Sequence, residues 1–581
     1  MSREWSRLNR RQFLAGSCAA MFLPLSACCE FRARPTPQVG DRQTPPGRRL
    51  FSVAPEAIQR NPLKPQFAID VHSHFFNASD VNVQGYVAES WGHSMSPAVQ
   101  PFIYVLSQAL DSLAESVTTA AAEYKELSAS AGAGAGADAA LSMESMKASF
   151  DRRIETHMDA SAQNLFKELE KRDGKAKYRA AAEDELGQRI KVLKAVPDAV
   201  PTAVPELSPE LIRRAMSQNA RRPFDKRMNV APPLRVDGLL AFAGYMLNDR
   251  WMNLRSYQQK YSTDDGAFGI DAAFGSLVDF DYWFACPCHS ARSDQMKVMA
   301  LLSYLSGGYM LPLVGYNPWT DLNNHGESYQ LVKTAIENFG YIGVKIYPPV
   351  GYYPYGNEEL NKDGPRLPKD LHALDAALKQ MFDYCARMNV PVMAHANRTL
   401  GRDATADDFG GRKGWDRLMA KYAAETNAPI IQLGHFGGDS SSDGSNWPSD
   451  FATLMQSYRA NNRIYGDVAF WDHARDCSDL DSGNCKILLD RLQQAHDIYP
   501  DLSKRLMYGS DWLMLSQNDD WPAFPAQIAT ALSGLPWIDR DSLFYRNAMN
   551  CFGLSDKNGD RYKSVVAHLQ LNGADLPKWL A

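Results

Sequence analysis

Histidines and aspartates stand at the ends of several apolar segments of this sequence. The first segment is Phe67-Ala68-Ile69-Asp70-Val71-His72-Ser73-His74, a short apolar run that ends in polar residues and predicts a buried strand. Because side chains alternate along a strand, Asp70, His72 and His74 should share one face, with the two imidazoles about 7 Å apart. Alone, this His-x-His spacing is weak evidence for a metal site, since paired histidines also occur at surfaces and turns.

Three further apolar segments end in a residue that can bind a metal, namely His395, His435 and Asp511. Four of only 12 histidines then lie at predicted strand ends. Core packing explains this poorly, because each buried imidazole would need its own hydrogen-bond partner. Imidazole nitrogens and carboxylate oxygens are common ligands of divalent metals. The set therefore predicts one shared metal site.

These residues converge only if their strands belong to one sheet. Short apolar segments alternate with amphipathic ones, such as Leu371 to Met388 and Arg412 to Thr426, which is the pattern of βα units. With the strand at Ile69 there are eight predicted strands, and the other seven end at Phe284, Tyr316, Tyr347, His395, His435, Phe470 and Asp511. Eight such units close a (β/α)8 TIM-type barrel, whose active site lies at the carboxyl ends of the strands. The predicted fold class is α/β.

The predicted barrel occupies residues 66–77 and 266–556. Residues 78–265 are rich in alanine and charge with helical spacing, and prolines and an Ala-Gly repeat interrupt them. This segment is predicted to be a large helical insertion after strand 1. It emerges on the catalytic face, so we expect a cap over the pocket, with a disordered appendage as the alternative. A C-terminal helical tail is predicted over residues 557–581.

Taken in order, the motifs of this chain resemble those of the amidohydrolase superfamily. They are Asp70-Val71-His72-Ser73-His74, Gly343-Val344-Lys345-Ile346-Tyr347-Pro348, the His395 strand, His435-Phe436-Gly437-Gly438, Gly509-Ser510-Asp511-Trp512 and Asn547-Ala548-Met549-Asn550-Cys551-Phe552-Gly553-Leu554. The resemblance is closest to the group that includes aminocarboxymuconate semialdehyde decarboxylase-like enzymes and dicarboxylate lactonases. It covers Gln66 to Leu554 apart from the insertion.

The resemblance implies that one divalent metal ion, often zinc, is bound by His72, His74, His395 and Asp511. His435 would be a catalytic residue, a residue that supports a ligand, or an additional ligand. Lys345 lies in predicted strand 4, where binuclear members carry a carboxylated lysine that bridges two metals. The group resembled most has mononuclear sites, so pairing with a carboxylate or contact with substrate is favoured, and a second metal is the alternative. Asp70 is a further candidate ligand.

The implied activity is metal-dependent hydrolysis, in which activated water attacks the carbonyl of an amide, ester or lactone. Asp511 would take the proton and His435 would polarise the carbonyl. An aromatic-rich mouth predicts a small cyclic or aromatic substrate, with ordinary packing as the alternative. The candidate substrate contacts are Arg398, Tyr352, Trp471 and Trp512. Two alternative functions are a metal-dependent non-oxidative decarboxylase and a non-catalytic metal- or ligand-binding lipoprotein.

The N-terminal residues 1–29 predict an export signal. Asn9-Arg10-Arg11-Gln12-Phe13-Leu14 precedes an apolar run and resembles a twin-arginine signal, which predicts a periplasmic or cell-envelope location. Leu25-Ser26-Ala27-Cys28 resembles a lipoprotein cleavage box, so Cys28 is a candidate lipid anchor, with a plain cleavage site as the alternative. Residues 30–65, rich in Pro, Arg and Gln, predict a tether.

Composition narrows the range of partners. The 581 residues include 67 acidic and 62 basic side chains, a net charge of −5, so nucleic acid is not expected. The apolar stretch from Phe13 to Cys29 is interrupted and shorter than the roughly 20 residues that span a bilayer. The expected partner is a small-molecule substrate, and the sequence predicts no oligomeric state. Cys477 and Cys485 bracket a short polar loop and are predicted to form a disulfide in an oxidising compartment.

Overall fold

The structure is a computed structural model. It describes residues 63–81, 114, 117–132, 242, 245–262, 268–281, 288–359, 371–398, 408–425, 427–439, 444–461, 463–518, 520–570 and 575–581. The predicted signal, the candidate anchor Cys28 and nearly all of the predicted tether lie outside the described residues. No helix within these ranges has both the length and the apolar character needed to cross a membrane.

Within the described residues, eight parallel strands form one sheet whose order follows the sequence. They are β1 (Ile69–Ser73), β2 (Ala272–Ser276), β3 (Met310–Gly315), β4 (Gly343–Ile346), β5 (Val392–His395), β6 (Ile431–Gly434), β7 (Ile464–Asp467) and β8 (Leu506–Met507). The sheet closes on itself because Val71 N–H donates to Tyr508 O at 3.0 Å and Asp511 N–H donates to His72 O at 2.6 Å. The predicted (β/α)8 barrel is confirmed.

The α-helices of the described ranges surround the sheet or precede it. They are α1 (Ala120–Gly132), α2 (Arg250–Ser262), α3 (Arg292–Leu305), α4 (Pro318–Asn323), α5 (Glu327–Asn338), α6 (Leu371–Met388), α7 (Arg412–Lys421), α8 (Trp447–Ser457), α9 (Gly483–Ile498), α10 (Phe524–Ala531), α11 (Asn547–Cys551) and α12 (Asp560–Leu569). Helix α6 has the predicted bounds, because Leu374, Leu378 and Met381 recur at helical spacing and are buried. Helix α7 ends at Lys421, earlier than the predicted Thr426.

Three strands end earlier than the sequence predicts. Strand β2 ends at Ser276 rather than the predicted Phe284, β7 at Asp467 rather than Phe470, and β8 at Met507 rather than Asp511. The other predicted ends agree to within one residue. Phe470 and Asp511 have φ angles of 55° and 57°, a left-handed conformation that a β-ladder does not contain. The apolar runs there mark burial beyond the strand rather than the strand itself.

The C-terminal segment packs against the end of the barrel opposite the histidines. Phe274 on β2 lies 4.7 Å from the ring of Phe552 and 6.3 Å from that of Trp579. The same buried cluster contains Ile342 and Ile430, which immediately precede β4 and β6. The described part of the predicted helical tail therefore consists of α12 and a segment that covers the amino-terminal end of the barrel.

Two helices of the insertion are described, α1 and α2, and buried ion pairs join them to the segment after β1. Arg250, at the start of α2, is fully buried. Its guanidinium lies 2.5 Å from Asp80 Oδ1 and 2.7 Å from Glu123 Oε2 on α1. These contacts fix the described part of the insertion next to the carboxyl end of β1.

The predicted disulfide between Cys477 and Cys485 is confirmed. It closes a loop between a 3₁₀ turn after β7 and the first turn of α9. Both cysteines are buried.

Candidate metal centre

The side chains of His72, His435 and Asp511 meet at the carboxyl ends of β1, β6 and β8. Their candidate ligand atoms all lie within 4.8 Å of one another, and all three residues are buried. His74 joins them, because its Nε2 lies 3.3 Å from Asp511 Oδ1, while His72 Nε2 lies 3.6 Å from the same oxygen. Ligand atoms in a tetrahedral site with bonds of 2.0–2.1 Å are about 3.3 Å apart. The spacing fits one shared metal ion.

His395 lies beside this group. Its ring centroid is 4.6 Å from that of His435, and Tyr347 stacks on its ring at 4.4 Å. Among the residues that the structure describes, the buried Nε2 atom of His395 finds no hydrogen-bond partner. Because a buried polar atom left unpaired costs about 1–3 kcal/mol, this nitrogen fits a ligand of an ion that the chain itself does not supply.

Hydrogen bonds through Nδ1 orient the other three imidazoles. The Nδ1 atoms of His72, His74 and His435 are held by Asp467 Oδ1 at 3.2 Å, Ser276 O at 2.9 Å and Ala469 O at 2.9 Å, respectively. Since these acceptors require a proton on Nδ1, the Nε2 of each neutral ring presents a lone pair. Lone pairs of His72 and His74 therefore face the Asp511 carboxylate, an arrangement that a shared cation stabilises.

Burial favours the neutral form of two imidazoles, those of His72 and His395, while the Asp511 carboxylate is ionised at neutral pH. Burial lowers the pKa of His72 well below its usual range, and the nearby Lys345 lowers it further. Burial also lowers the pKa of His395. Burial raises the pKa of Asp511, but His74 and the neighbouring histidines outweigh it and bring the value to about 2. At neutral pH these side chains are therefore in the deprotonated form that binds metals.

Lys345 on β4 lies inside the centre. Its buried Nζ is 3.0 Å from His72 Nε2. Burial lowers the pKa of this amine to about 8, against the effect of Asp511 and Asp467, which raise it. Lys345 therefore lies within hydrogen-bond distance of a candidate metal ligand, and its predicted contact with substrate stays a prediction. The second metal, which requires carboxylation of this amine, stays a prediction.

Asp467, at the end of β7, is the residue of the centre that sequence reasoning missed. It is fully buried, and its carboxylate accepts hydrogen bonds from His72 Nδ1, from Gln432 Nε2 at 2.7 Å and from His435 N–H at 2.9 Å. It therefore orients two imidazoles at once. The available signal was a lone carboxylate within an apolar run, but the predicted strand end at Phe470 placed it inside the strand.

Asp70, a further candidate ligand, is bound by donors of the chain. Its carboxylate accepts hydrogen bonds from the backbone N–H groups of His72 and Ser510 and from the hydroxyls of Ser510 and Tyr257. Burial raises its pKa to about 7, although these hydrogen bonds oppose the rise. The structure places Asp70 between β1 and the turn after β8.

The tryptophans named as substrate contacts lie behind the centre. Trp471 is fully buried, and its Nε1 donates to the backbone oxygen of His435 at 2.7 Å, so it orients that histidine. Trp512 is also fully buried and packs against Phe75 with ring centroids 5.4 Å apart. Trp471 therefore supports the segment that carries His435, and Trp512 packs against the segment that follows β1.

Tyr352 and Arg398 also have partners within the chain. The hydroxyl of Tyr352 is buried and accepts a hydrogen bond from Tyr347 N–H at 3.1 Å. The guanidinium of Arg398 lies over the ring of Trp447 at 5.5 Å and donates to Ser445 Oγ at 3.1 Å. Arg398 is only half-buried, so it borders the mouth of the barrel after β5.

Other aromatic rings contact the histidines directly. Phe76 lies 5.5 Å from the ring of His74, and Tyr347, which stacks on His395, contacts Phe280 at 4.9 Å. Phe76 comes three residues after β1, and Tyr347 comes directly after β4. The sequence does not identify either ring as a contact of the histidines, because a buried aromatic beside a strand end is ordinary packing.

Residues 317–554 match the family model described as amidohydrolase. The match includes Lys345, His395, His435 and Asp511, while β1 with its two histidines precedes it. This match supports the predicted resemblance to the amidohydrolase superfamily over that part of the chain. The function that the match supports is that of a metal-dependent hydrolase or a related enzyme.

Solved structures similar to this chain include an amidohydrolase from Burkholderia multivorans with bound zinc. The two sequences are 11% identical, the alignment covers 54% of this chain and 92% of that chain, and the TM-score is 0.34. A second crystal form, with bound HEPES, gives 12% identity, the same coverage and a TM-score of 0.33. An uncharacterised TIM-barrel protein from Bordetella bronchiseptica is 13% identical. The alignment covers 61% of this chain and 95% of that chain, and the TM-score is 0.31. No curated protein matches the sequence.

Proposed function

We propose that this protein is an exported metal-dependent hydrolase that cleaves an amide, ester or lactone. The observation that carries this proposal is the convergence of three imidazoles, those of His72, His74 and His435, and the Asp511 carboxylate on one buried point. A hydrogen bond at Nδ1 orients each of the three rings. A divalent ion bound there, for which zinc suits the nitrogen-rich donor set, lowers the pKa of water from 15.7 toward about 7 and polarises a carbonyl.

Asp511 is the group that we assign to the proton. Its carboxylate is ionised at neutral pH, and it can accept a proton from the attacking water and return it to the leaving group. The backbone N–H of Asp511 donates to His72 O at 2.6 Å, so the carboxylate is held beside the imidazoles.

His435 and Lys345 have different roles in this proposal. The Nδ1 of His435 donates to Ala469 O, so the ring turns Nε2 toward the centre, where it can act as a ligand or a proton acceptor. The ammonium form of Lys345 carries the donors that can stabilise negative charge on a substrate oxygen. A Lys345→Met variant should therefore lose turnover while it keeps bound metal.

The substrate is proposed to be small and cyclic or aromatic. The rings of Phe76 and Tyr347 contact His74 and His395, and planar substrates pack well between such rings. Arg398, at the mouth beyond β5, is positioned to pair with an anionic substituent. We propose no protein or nucleic-acid partner.

Export is a separate proposal. It is supported by the Arg10-Arg11 motif and by the disulfide between Cys477 and Cys485, because such bonds persist in oxidising compartments. The intact mass of the N-terminal peptide from protein recovered from cells tests it. A lipidated N-terminal Cys28 would show a membrane anchor, a plain cleavage site would show a soluble exported form, and an uncleaved signal would contradict export.

Metal analysis and a substrate panel test the hydrolase proposal. We expect one divalent ion per chain and turnover of at least one cyclic or aromatic ester, lactone or amide. A His72→Ala variant should lose both metal and turnover, whereas His372→Ala, at an exposed histidine paired with Glu358, should keep both. Turnover only of carboxylic acids, with release of carbon dioxide, would favour decarboxylation instead. Bound metal without turnover of any panel member would favour a binding protein, and full turnover by metal-free protein would contradict both.

A further inference from the structure

Tyr257 brings the insertion into contact with the metal centre. Its hydroxyl on α2 donates to Asp70 Oδ2 at 2.6 Å, across 187 residues of sequence. Both side chains are fully buried. The sequence offers no motif at Tyr257, and the contact exists only because α2 packs against the carboxyl end of β1.

Asp70 transmits this contact to the segment that carries Asp511. Its Oδ1 accepts the backbone N–H of Ser510 at 2.9 Å, and its Oδ2 is hydrogen-bonded to the Ser510 hydroxyl. The Ser510 Oγ in turn accepts the backbone N–H of Trp512 at 2.9 Å. One carboxylate therefore fixes the residues on both sides of Asp511.

Asp511 depends on such support because its backbone is left-handed, with a φ of 57°. Residues other than glycine adopt this conformation at an energetic cost, which is small for aspartate, so contacts of the surrounding chain favour it here. The backbone N–H of Asp511 donates to His72 O, and His74 N–H donates to Trp512 O, both at 2.6 Å. The position of the Asp511 carboxylate relative to His72 and His74 is thus set by the hydrogen bonds around Ser510 and Trp512.

Packing holds the Tyr257 hydroxyl in place. The ring contacts Phe75 and Trp512, each with centroids 5.3 Å apart, and lies nearly parallel to Trp521. Arg250, the first residue of the same helix, is fixed by its buried ion pairs. Helix α2 therefore presents a rigid donor to Asp70.

We propose that Tyr257 is a positioning residue of the metal centre, which acts through Asp70 and Ser510 to hold Asp511 where its carboxylate can bind the ion. Helix α2 of the insertion, which carries Tyr257, then helps to position the ligands of the metal centre. This inference rests on the proposed metal site.

The chain offers a matched pair of variants, Tyr257→Phe and Tyr261→Phe. Tyr261 lies one turn further along α2, is equally buried, and donates its hydroxyl to the backbone oxygen of Trp521 at 3.2 Å. Each substitution keeps the ring, with its packing, and removes one buried hydrogen bond. The two variants should therefore lose similar amounts of thermal stability. They differ in that only Tyr257→Phe removes a hydrogen-bond donor of Asp70.

Zinc affinity and cobalt spectra of the full chain test the proposal. Zinc affinity is measured by competition with a chelating indicator, and ligand geometry by the visible spectrum of the cobalt-loaded protein. We expect Tyr257→Phe to bind zinc about 10-fold more weakly, the lower end of the effect of residues that support metal ligands, with a changed cobalt spectrum. Tyr261→Phe should match the wild type in both. Equal affinity and spectra for Tyr257→Phe and the wild type would overturn this inference alone, as would an equal loss in Tyr261→Phe. Failure of the wild type to bind either ion would overturn the metal site as well.

Discussion

The Nδ1 atom of His72 lies 3.2 Å from Oδ1 of Asp467, and both side chains are buried. The two residues are 395 positions apart in sequence and belong to β1 and β7, which β8 separates in the sheet. The same oxygen accepts the backbone N–H of His435 at 2.9 Å. Asp467 therefore couples imidazoles from two strands.

An Asp467→Asn variant should bind zinc roughly 10–100-fold more weakly, as expected when a partner that orients a ligating histidine is changed. An amide can donate to His72 Nδ1, which would move the imidazole proton to Nε2 and remove the ligating lone pair. Competition with a chelating indicator measures the effect. Asp472→Asn, in the turn after β7 where Asp472 pairs with Arg475, is the control, and unchanged affinity in Asp467→Asn would contradict this role.

An Arg250→Met variant should be less stable by about 3–5 kcal/mol, because removal of one partner leaves buried charges uncompensated. Arg250 is fully buried between Asp80 and Glu123. Denaturant unfolding of wild type and variant measures the change in free energy. Arg255→Met, at a half-buried position of the same helix, should cost far less, and equal losses would show that the buried ion pairs are not the cause.

Asp439 should make stability depend on pH. Burial raises the pKa of this carboxyl from its ordinary 3.8 to about 6, although His473 opposes the rise. Between about pH 4 and 6 the folded protein then binds more protons than the unfolded chain, so the free energy of unfolding falls as pH rises through this window. At about 1.4 kcal/mol per pKa unit, the fall is at most about 3 kcal/mol.

An Asp439→Asn variant lacks this titration and tests the prediction. The stability of the wild type relative to the variant should be greater at pH 4 than at pH 7, by up to about 3 kcal/mol. Denaturant unfolding of both proteins at four pH values between 4 and 7 provides the comparison. Parallel curves for the two proteins would show that Asp439 titrates normally in the fold.

Loss of the disulfide should lower stability by about 2–3 kcal/mol, the loop-entropy value for a short closed loop. Cys477 and Cys485 are eight positions apart. A double serine variant and the reduced wild type should unfold at similar denaturant concentrations, both below the oxidised wild type. A reductant should leave the double variant unchanged, and a wild type that is equally insensitive would contradict a stabilising bond.

The sequence predicts the barrel and the meeting of His72, His435 and Asp511, because each ends an apolar run and the carboxyl ends of barrel strands converge. It does not predict Asp467 as a partner of His72, since strand ends are located only by where the apolar run stops. It also does not predict Tyr257, whose role depends on how a helix of the insertion packs and not on any local pattern. Asp511 itself lies four residues beyond β8, in a backbone conformation that burial patterns do not reveal.

The hydrogen bond between Asp70 and Ser510 joins residues 440 positions apart. Contacts of such separation form late, because the chain between them must first be ordered at an entropic cost that grows with its length. During synthesis, His72 and His74 therefore leave the ribosome long before Asp511 exists. The proposed ion-binding site is incomplete in every nascent fragment that lacks β8, so we expect uptake of the ion to follow folding of the whole barrel rather than guide its first steps.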